Sequence, residues 1–70
     1  MDEKTLFFKI GQKIKDIRES QNLTQDDLAA KADIDNIGRL ETGNTNPTIR
    51  TLFKITQALK VKLKDIIDVE

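Results

Sequence analysis

Seventy residues carry twelve Lys and Arg, twelve Asp and Glu, no Cys and no His. A core this small supplies only about 3–5 kcal/mol, so with no disulfide and no ordinary metal staple the chain must lean on helix packing or on a second copy. With one Ser, no Tyr and neither His nor Cys, the usual parts of nucleophile–base and metal–water chemistry are missing, and no enzyme, cofactor or metal site is expected.

No apolar run approaches the roughly 18 residues that a membrane span needs. The first residues, Met1-Asp2-Glu3-Lys4, are acidic before they are basic and precede no long apolar stretch, which argues against a secretory signal. The expectation is a cytoplasmic protein with no membrane partner, folded as a single domain over residues 1–70. The net charge of zero is unevenly spread. Residues 23–49 hold two cations (Lys31, Arg39) against five acids (Asp26, Asp27, Asp33, Asp35, Glu41), whereas both flanks are slightly basic. A strong electrostatic footprint for nucleic acid is therefore absent.

Residues 5–20 place Leu6, Phe7, Ile10, Ile14 and Ile17 at spacings of 3 and 4, one helical stripe, with Lys9, Lys13, Lys15, Asp16 and Glu19 opposite. Asn22 is a plausible stop. Thr24-Gln-Asp-Asp27 is a capping-box pattern that opens a second helix, with Leu28, Ala29 and Ala32 on its buried side. Ile34, Ile37 and Leu40 give a short third helix a narrow apolar edge, and Gly43 suits its left-handed C-terminal cap. Asn44-Thr45-Asn46-Pro47 is a loop, and Thr48 caps a fourth helix with the stripe Ile49, Leu52, Ile55, Thr56 and Leu59. A fifth helix is expected at about residues 63–68, with Leu63, Ile66 and Ile67 inward. With almost no strand pattern, the fold class is all-α, five short helices around one core.

The ordered set Ile14-Lys-Asp-Ile17-Arg18, Leu23-Thr-Gln-Asp-Asp-Leu-Ala29, Ile37-Gly-Arg-Leu-Glu41-Thr-Gly43, Asn46-Pro-Thr48 and Leu52-Phe-Lys-Ile55-Thr-Gln-Ala-Leu59 resembles the small phage-repressor (Cro/cI, or XRE) DNA-binding domains. Restriction-modification controllers and some antitoxins share this pattern. The resemblance runs from about residue 10 to residue 67. It implies a lambda-repressor-like fold, a helix-turn-helix at helices 2 and 3, and a homodimer on a short palindromic operator in double-stranded DNA.

Site residues follow from the resemblance. Gln25, opening helix 2, matches a polar residue that holds a phosphate, against the plainer reading of a solvated helix start. Asn36 and Arg39 match the groove-facing side of helix 3, where an arginine suits guanine or phosphate; the plainer reading of Arg39 is a surface ion pair with Asp35 or Glu41. Asn44, Thr45, Asn46 and Thr48 match the exit loop and helix-4 start that rest on the DNA backbone, although turn and cap chemistry explains Asn46 and Thr48 almost as well. Arg18 and Glu41 match a partly buried ion pair between helices 1 and 3. Phe53, Ile66, Ile67 and Val69 are the candidate dimer interface.

One departure stands beside the match. Between Gln25 and Glu41 the chain is about two residues shorter than the family pattern, at the start of the helix that enters the major groove. Two helical residues amount to about 3 Å of rise and 200° of turn, so no smooth shift absorbs the loss. Either helix 3 starts late with Asp35 as its N-cap, or the turn around residues 33–35 is rebuilt. Asp33 stands where many relatives have Gly, and Lys60 and Lys62 where they often have Gly and Ser. The acidic turn also leaves room for a second reading, an interaction module of the same fold with a protein partner.

Overall fold

The computed structural model describes residues 1–69. Among these residues the regular structure is entirely helical: α1 (Glu3–Ser20), α2 (Gln25–Ala32), α3 (Ile37–Glu41), α4 (Ile49–Leu59) and α5 (Leu63–Ile67). No helix among them is long and apolar enough to cross a membrane.

Four of the five helix starts have a local chemical cause. The Asp2 carboxylate accepts from Thr5 N at 2.8 Å and fixes the first turn of α1. At α2 the Thr24 hydroxyl accepts from Asp27 N at 3.0 Å while the Asp27 carboxylate accepts from Thr24 N at 2.9 Å, a complete capping box. Thr48 caps α4 by accepting from Thr51 N at 3.1 Å. At α5 the Asp65 carboxylate reaches back to Lys62 N at 2.8 Å. The start of α3 differs: Asn36 is its N-cap and makes no side-chain cap bond.

Four helix ends share a single device. Asn22, Asp33, Gly43 and Lys60 all have φ between 56° and 77°. In each case the next residue returns a backbone bond to the last turn: Leu23 to Arg18, Ile34 to Ala29, Asn44 to Arg39 and Val61 to Thr56, at 2.9–3.1 Å. This satisfies carbonyls that a helix end otherwise leaves open. Leu23, Ile34 and Val61 then pack against the core and turn the chain inward. Only Gly43 is a glycine, so three side chains hold a conformation that disfavours them.

The core consists of Ile10 and Ile14 of α1, Leu28 and Ala32 of α2, Ile37 and Leu40 of α3, Leu52, Ile55 and Leu59 of α4, and Ile66 of α5. Two expectations about the apolar stripes are corrected. Ile49 belongs to the α4 stripe by spacing but is 67% exposed. Ile67 was expected to face inward and is 42% exposed. Ile66 faces inward as its stripe position predicts, fully buried where α5 packs on α1 and α4, which corrects its second assignment, to a dimer interface.

α1 and α3 cross unusually close, and two glycines permit it. A Cβ on Gly11 would overlap the Leu40 carbonyl oxygen and stand 2.6 Å from that of Glu41. A Cβ on Gly43 would stand 2.7 Å from Phe8 Cα. Gly11, Ile14 and Arg18 form one buried stripe at spacings of 3 and 4, so the contact leads directly to the ion pair described next.

Candidate nucleic-acid interface

The interface is built on a buried polar joint. Arg18 and Glu41 are only 6% and 2% exposed. Arg18 Nε donates to Glu41 Oε2 at 2.6 Å and Nη2 donates to Oε1 at 3.1 Å. The remaining guanidinium nitrogen, Nη1, donates to the Leu23 carbonyl at 2.6 Å. Hydrogen bonding to Glu41 raises the Arg18 pKa above its ordinary value, more than burial lowers it. Gln12 Nε2 adds a bond to the Glu41 carbonyl at 3.1 Å. Every nitrogen of the guanidinium is thus bonded, which is the condition for burying a charge without a large loss. The joint fixes the end of α3 relative to α1 and to the entry of α2.

Around this frame lie the seven residues expected to face DNA, held in separate groups of contacts. Gln25, the first residue of α2, lies over Gly38 and donates from Nε2 to Glu41 Oε1 at 3.1 Å. Beside Gly38, Arg39 is exposed, and its Nη2 makes a long bond of 3.4 Å to the Asn44 carbonyl. Neither Asp35 nor Glu41 takes it in an ion pair. Asn44 Nδ2 donates to the Thr42 hydroxyl at 3.0 Å, which sets the start of the exit loop. Asn36, Thr45 and Asn46 meet around a concavity of about 240 Å³, lined also by Asp35, Leu40 and Thr51. Thr48 connects to the same rim, its hydroxyl donating to that of Thr51 at 3.0 Å. Polar groups thus stand at the start of α2, beside α3, in the exit loop and at the start of α4, with Ile34, Leu40 and Pro47 also lining the concavity between them.

The starts of α2 and α4 are electrostatically unlike. The first turn of α2 carries Asp26 and Asp27. The Thr24 backbone N–H, and after it the Thr24 hydroxyl, hold the Asp27 carboxyl below its usual range, so a negative charge already sits at the positive end of that helix. The first turn of α4 carries no acid, and exposed Arg50 stands in it. Arg50 is an exposed cation beside these residues that sequence reasoning passed over. The signal was available, a cation two residues after the Thr48 cap, but charge counts over whole segments assigned it to the flank.

The shortened segment takes a definite form. α3 starts late, at Ile37, preceded by the turn 33–36. The N-cap is Asn36 with φ −115° and ψ 58°, whereas the late-start alternative had put it at Asp35. Asp33 adopts φ 56° and ψ 53° and ends α2. α3 is left with five residues, and Asp33 and Asp35 are both exposed in front of it. Among the described residues no cluster of His, Cys, Asp or Glu is arranged to hold a metal ion.

Of the four residues expected to form a dimer interface, two are on the surface. Phe53 is 57% exposed and Ile67 is exposed as noted. Val69 is half-buried and packs against the core, together with fully buried Ile66. Ile66 is therefore removed from the interface: its side chain has no accessible surface to offer a partner. Exposed Ile49, one turn before Phe53 on α4, is the apolar surface residue that sequence reasoning placed in the core instead.

The helix-turn-helix family model HTH_3 matches residues 14–66, from the middle of α1 through α5. The control protein C.BamHI of Bacillus amyloliquefaciens is 38% identical over 61 residues, covering 83% of this chain and 75% of that one. An uncharacterised HTH-type transcriptional regulator of Methanocaldococcus jannaschii is 39% identical over 56 residues, covering 77% and 85% respectively. Among solved structures, the restriction-modification controller protein C.AhdI from Aeromonas hydrophila superposes with a TM-score of 0.84 at 26% identity, over 86% of this chain and 94% of that one. The chain belongs to the HTH_3, or XRE-type, helix-turn-helix family of transcriptional regulators.

Proposed function

We propose that this protein is a DNA-binding transcriptional regulator that recognises a short palindromic operator as a homodimer. The observation that carries this reading is the set of polar contacts around α3: Gln25 on Glu41, Arg39 on Asn44, and Asn36, Thr45 and Asn46 around one concavity whose rim Thr48 reaches through Thr51. α3 presents Arg39 to base edges, while the exit loop and the start of α4, with Arg50, hold phosphates and set the register. The control and regulator proteins among its relatives support the same reading. The exposed apolar residues Phe53, Ile49 and Ile67 supply a surface for a two-fold partner, which would place two copies of α3 about one DNA turn apart.

Binding to a palindromic duplex and to random duplex, followed by anisotropy across a salt series, tests the reading. A DNA binder gives a steep linear fall of log K with log salt, and a specific one separates the two duplexes. Binding that does not respond to salt would refute it. Sedimentation at about 100 μM should show a dimer that Phe53→Glu dissociates with helicity intact, because a charge at a two-fold axis meets its own copy.

A second reading is favoured by one observation, the exposed acids Asp33 and Asp35 ahead of a five-residue α3. In that reading the same face binds a protein, and random duplex shows no salt-dependent association at all.

A further inference from the structure

Gln25 is exposed, and a glutamine opening a surface helix is ordinarily free to sample its rotamers. Here it is not free. Its Nε2 reaches the nearly inaccessible carboxylate of Glu41 at 3.1 Å. The path crosses α3 at Gly38, where a Cβ would stand only 3.3 Å from Gln25 Oε1. The same Glu41 oxygen also accepts from Arg18 Nη2, so its position is set from inside the protein.

We propose that Glu41 is a positioning residue for the DNA interface, aiming the Gln25 carboxamide at a phosphate by holding it from beneath. The proposal rests on the DNA reading above. A carboxylate bonded to arginine acts as an acceptor, so the end of the amide turned toward it is the nitrogen. That nitrogen carries two protons. One is used on Glu41, and the second is left at the surface beside the α2 start, directed at whatever acceptor lies there. The rotamer freedom that a long polar side chain loses on binding is already lost in the free protein. The Arg18–Glu41 pair therefore has two separable effects, one on folding and one on the geometry of a contact made by a different residue.

Three variants separate these effects. Arg18→Met/Glu41→Met replaces the pair with apolar side chains, an exchange that cores often tolerate, but removes the acceptor under Gln25. Gln25→Asn keeps a surface amide but is one methylene too short to span Gly38. Gln25→Ala removes the amide. All three are expected to weaken operator binding by about 3- to 10-fold, the scale of one hydrogen bond. The log–log salt slope should stay that of the parent in all three, because a neutral amide on a phosphate releases no counterion. Gln25→Ala added to the double variant should weaken binding no further. In the free protein, the Gln25 side-chain NH₂ resonances should be shifted from free-amide values in the parent and return to them in the double variant. Should the double variant fail to fold, Gln25→Asn at its exposed position carries the comparison. Steep salt dependence in the parent with unchanged binding by the variants would overturn the positioning role alone, as would free-amide resonances in the parent. A parent with no salt-dependent binding would overturn the DNA reading and this role together.

Discussion

Gly11→Ala reverses the sign that helix propensity assigns to it. In the interior of an exposed helix, Ala in place of Gly stabilises by about 1 kcal/mol. On α1 the added methyl would overlap the Leu40 carbonyl and stand 2.6 Å from the Glu41 carbonyl oxygen, both of them backbone atoms that cannot swing aside. α1 and α3 must separate. Overpacking of this kind costs about 1–3 kcal/mol. The separation also stretches the bond from Gln12 Nε2 to the Glu41 carbonyl, worth about 0.5–1.5 kcal/mol. The 2.6 Å contact of Arg18 with Glu41, two turns further along the same stripe, is strained as well. After the propensity gain is subtracted, a net loss of about 2 kcal/mol remains, against a total of only about 3–5 kcal/mol for a domain of this size. The melting midpoint should fall by roughly 10 °C, since each kcal/mol moves it by about 4–8 °C in a small domain. Thermal melts of Gly11→Ala and Gly38→Ala side by side decide the matter. At Gly38 the new methyl meets only the tip of the Gln25 side chain, so that variant should melt no lower than the parent. A Gly11→Ala protein that melts at or above the parent would show that the close crossing of α1 and α3 does not hold in solution.

Lys60→Gly should raise stability by about 1 kcal/mol in urea unfolding, because Lys60 holds φ 59° at the end of α4 where glycine is unstrained. Asp27→Asn should destabilise at neutral pH. The folded Asp27 pKa lies below its ordinary 3.8, so its capping contribution is complete above that value and disappears as pH falls through the lower folded one. Urea midpoints of the two proteins should therefore converge in strong acid, and a gap independent of pH would refute the charge-assisted cap. Arg39→Ala should cost about 1–3 kcal/mol on a preferred operator and relax discrimination at one base position, whereas equal binding would remove Arg39 from the groove. Insertion of Arg-Ser between Asp35 and Asn36 should raise both the melting midpoint and operator affinity, since α3 now starts on an N-cap without a side-chain bond; an insertion that unfolds the protein would mean the short turn is an adapted feature.

What the sequence disclosed and what it hid follow one physical division. Helix starts were legible because capping is local: Thr24 with Asp27 and Thr48 with Thr51 are decided within four residues. The stop at Asn22 was legible for the same reason. The ion pair of Arg18 and Glu41 came from the family resemblance, since nothing in the spacing of two residues 23 apart requires them to meet. Stripe membership was less informative than it looked. Ile49 has the right spacing for the α4 face, but spacing gives the direction of a side chain and not how far the core extends. Ile66 and Ile67 differ by about 100° around a helix axis, so one of them must turn away. A five-residue α5 provides no second turn from which to tell which one.

Gly11 was hidden for a deeper reason. A glycine inside a helix reads as weakness until the partner is known, and here the partner is the carbonyl end of α3, contributed by residues about thirty positions later in the chain. The same non-locality governs the candidate site. Gln25 was correctly expected at the surface, but its amide end is directed by Glu41, which is itself oriented by Arg18. One polar surface side chain is thereby tied to a buried joint between α1 and α3. If DNA is the ligand, substitutions in that joint will alter binding without touching DNA, and the short α3 makes this dependence greater. With few residues of its own to present, α3 relies on neighbours at both of its ends, Gln25 on one side and the loop from Asn44 to Thr48 on the other. In the proposed reading, a five-residue α3 therefore leaves recognition to be shared with the elements that hold it.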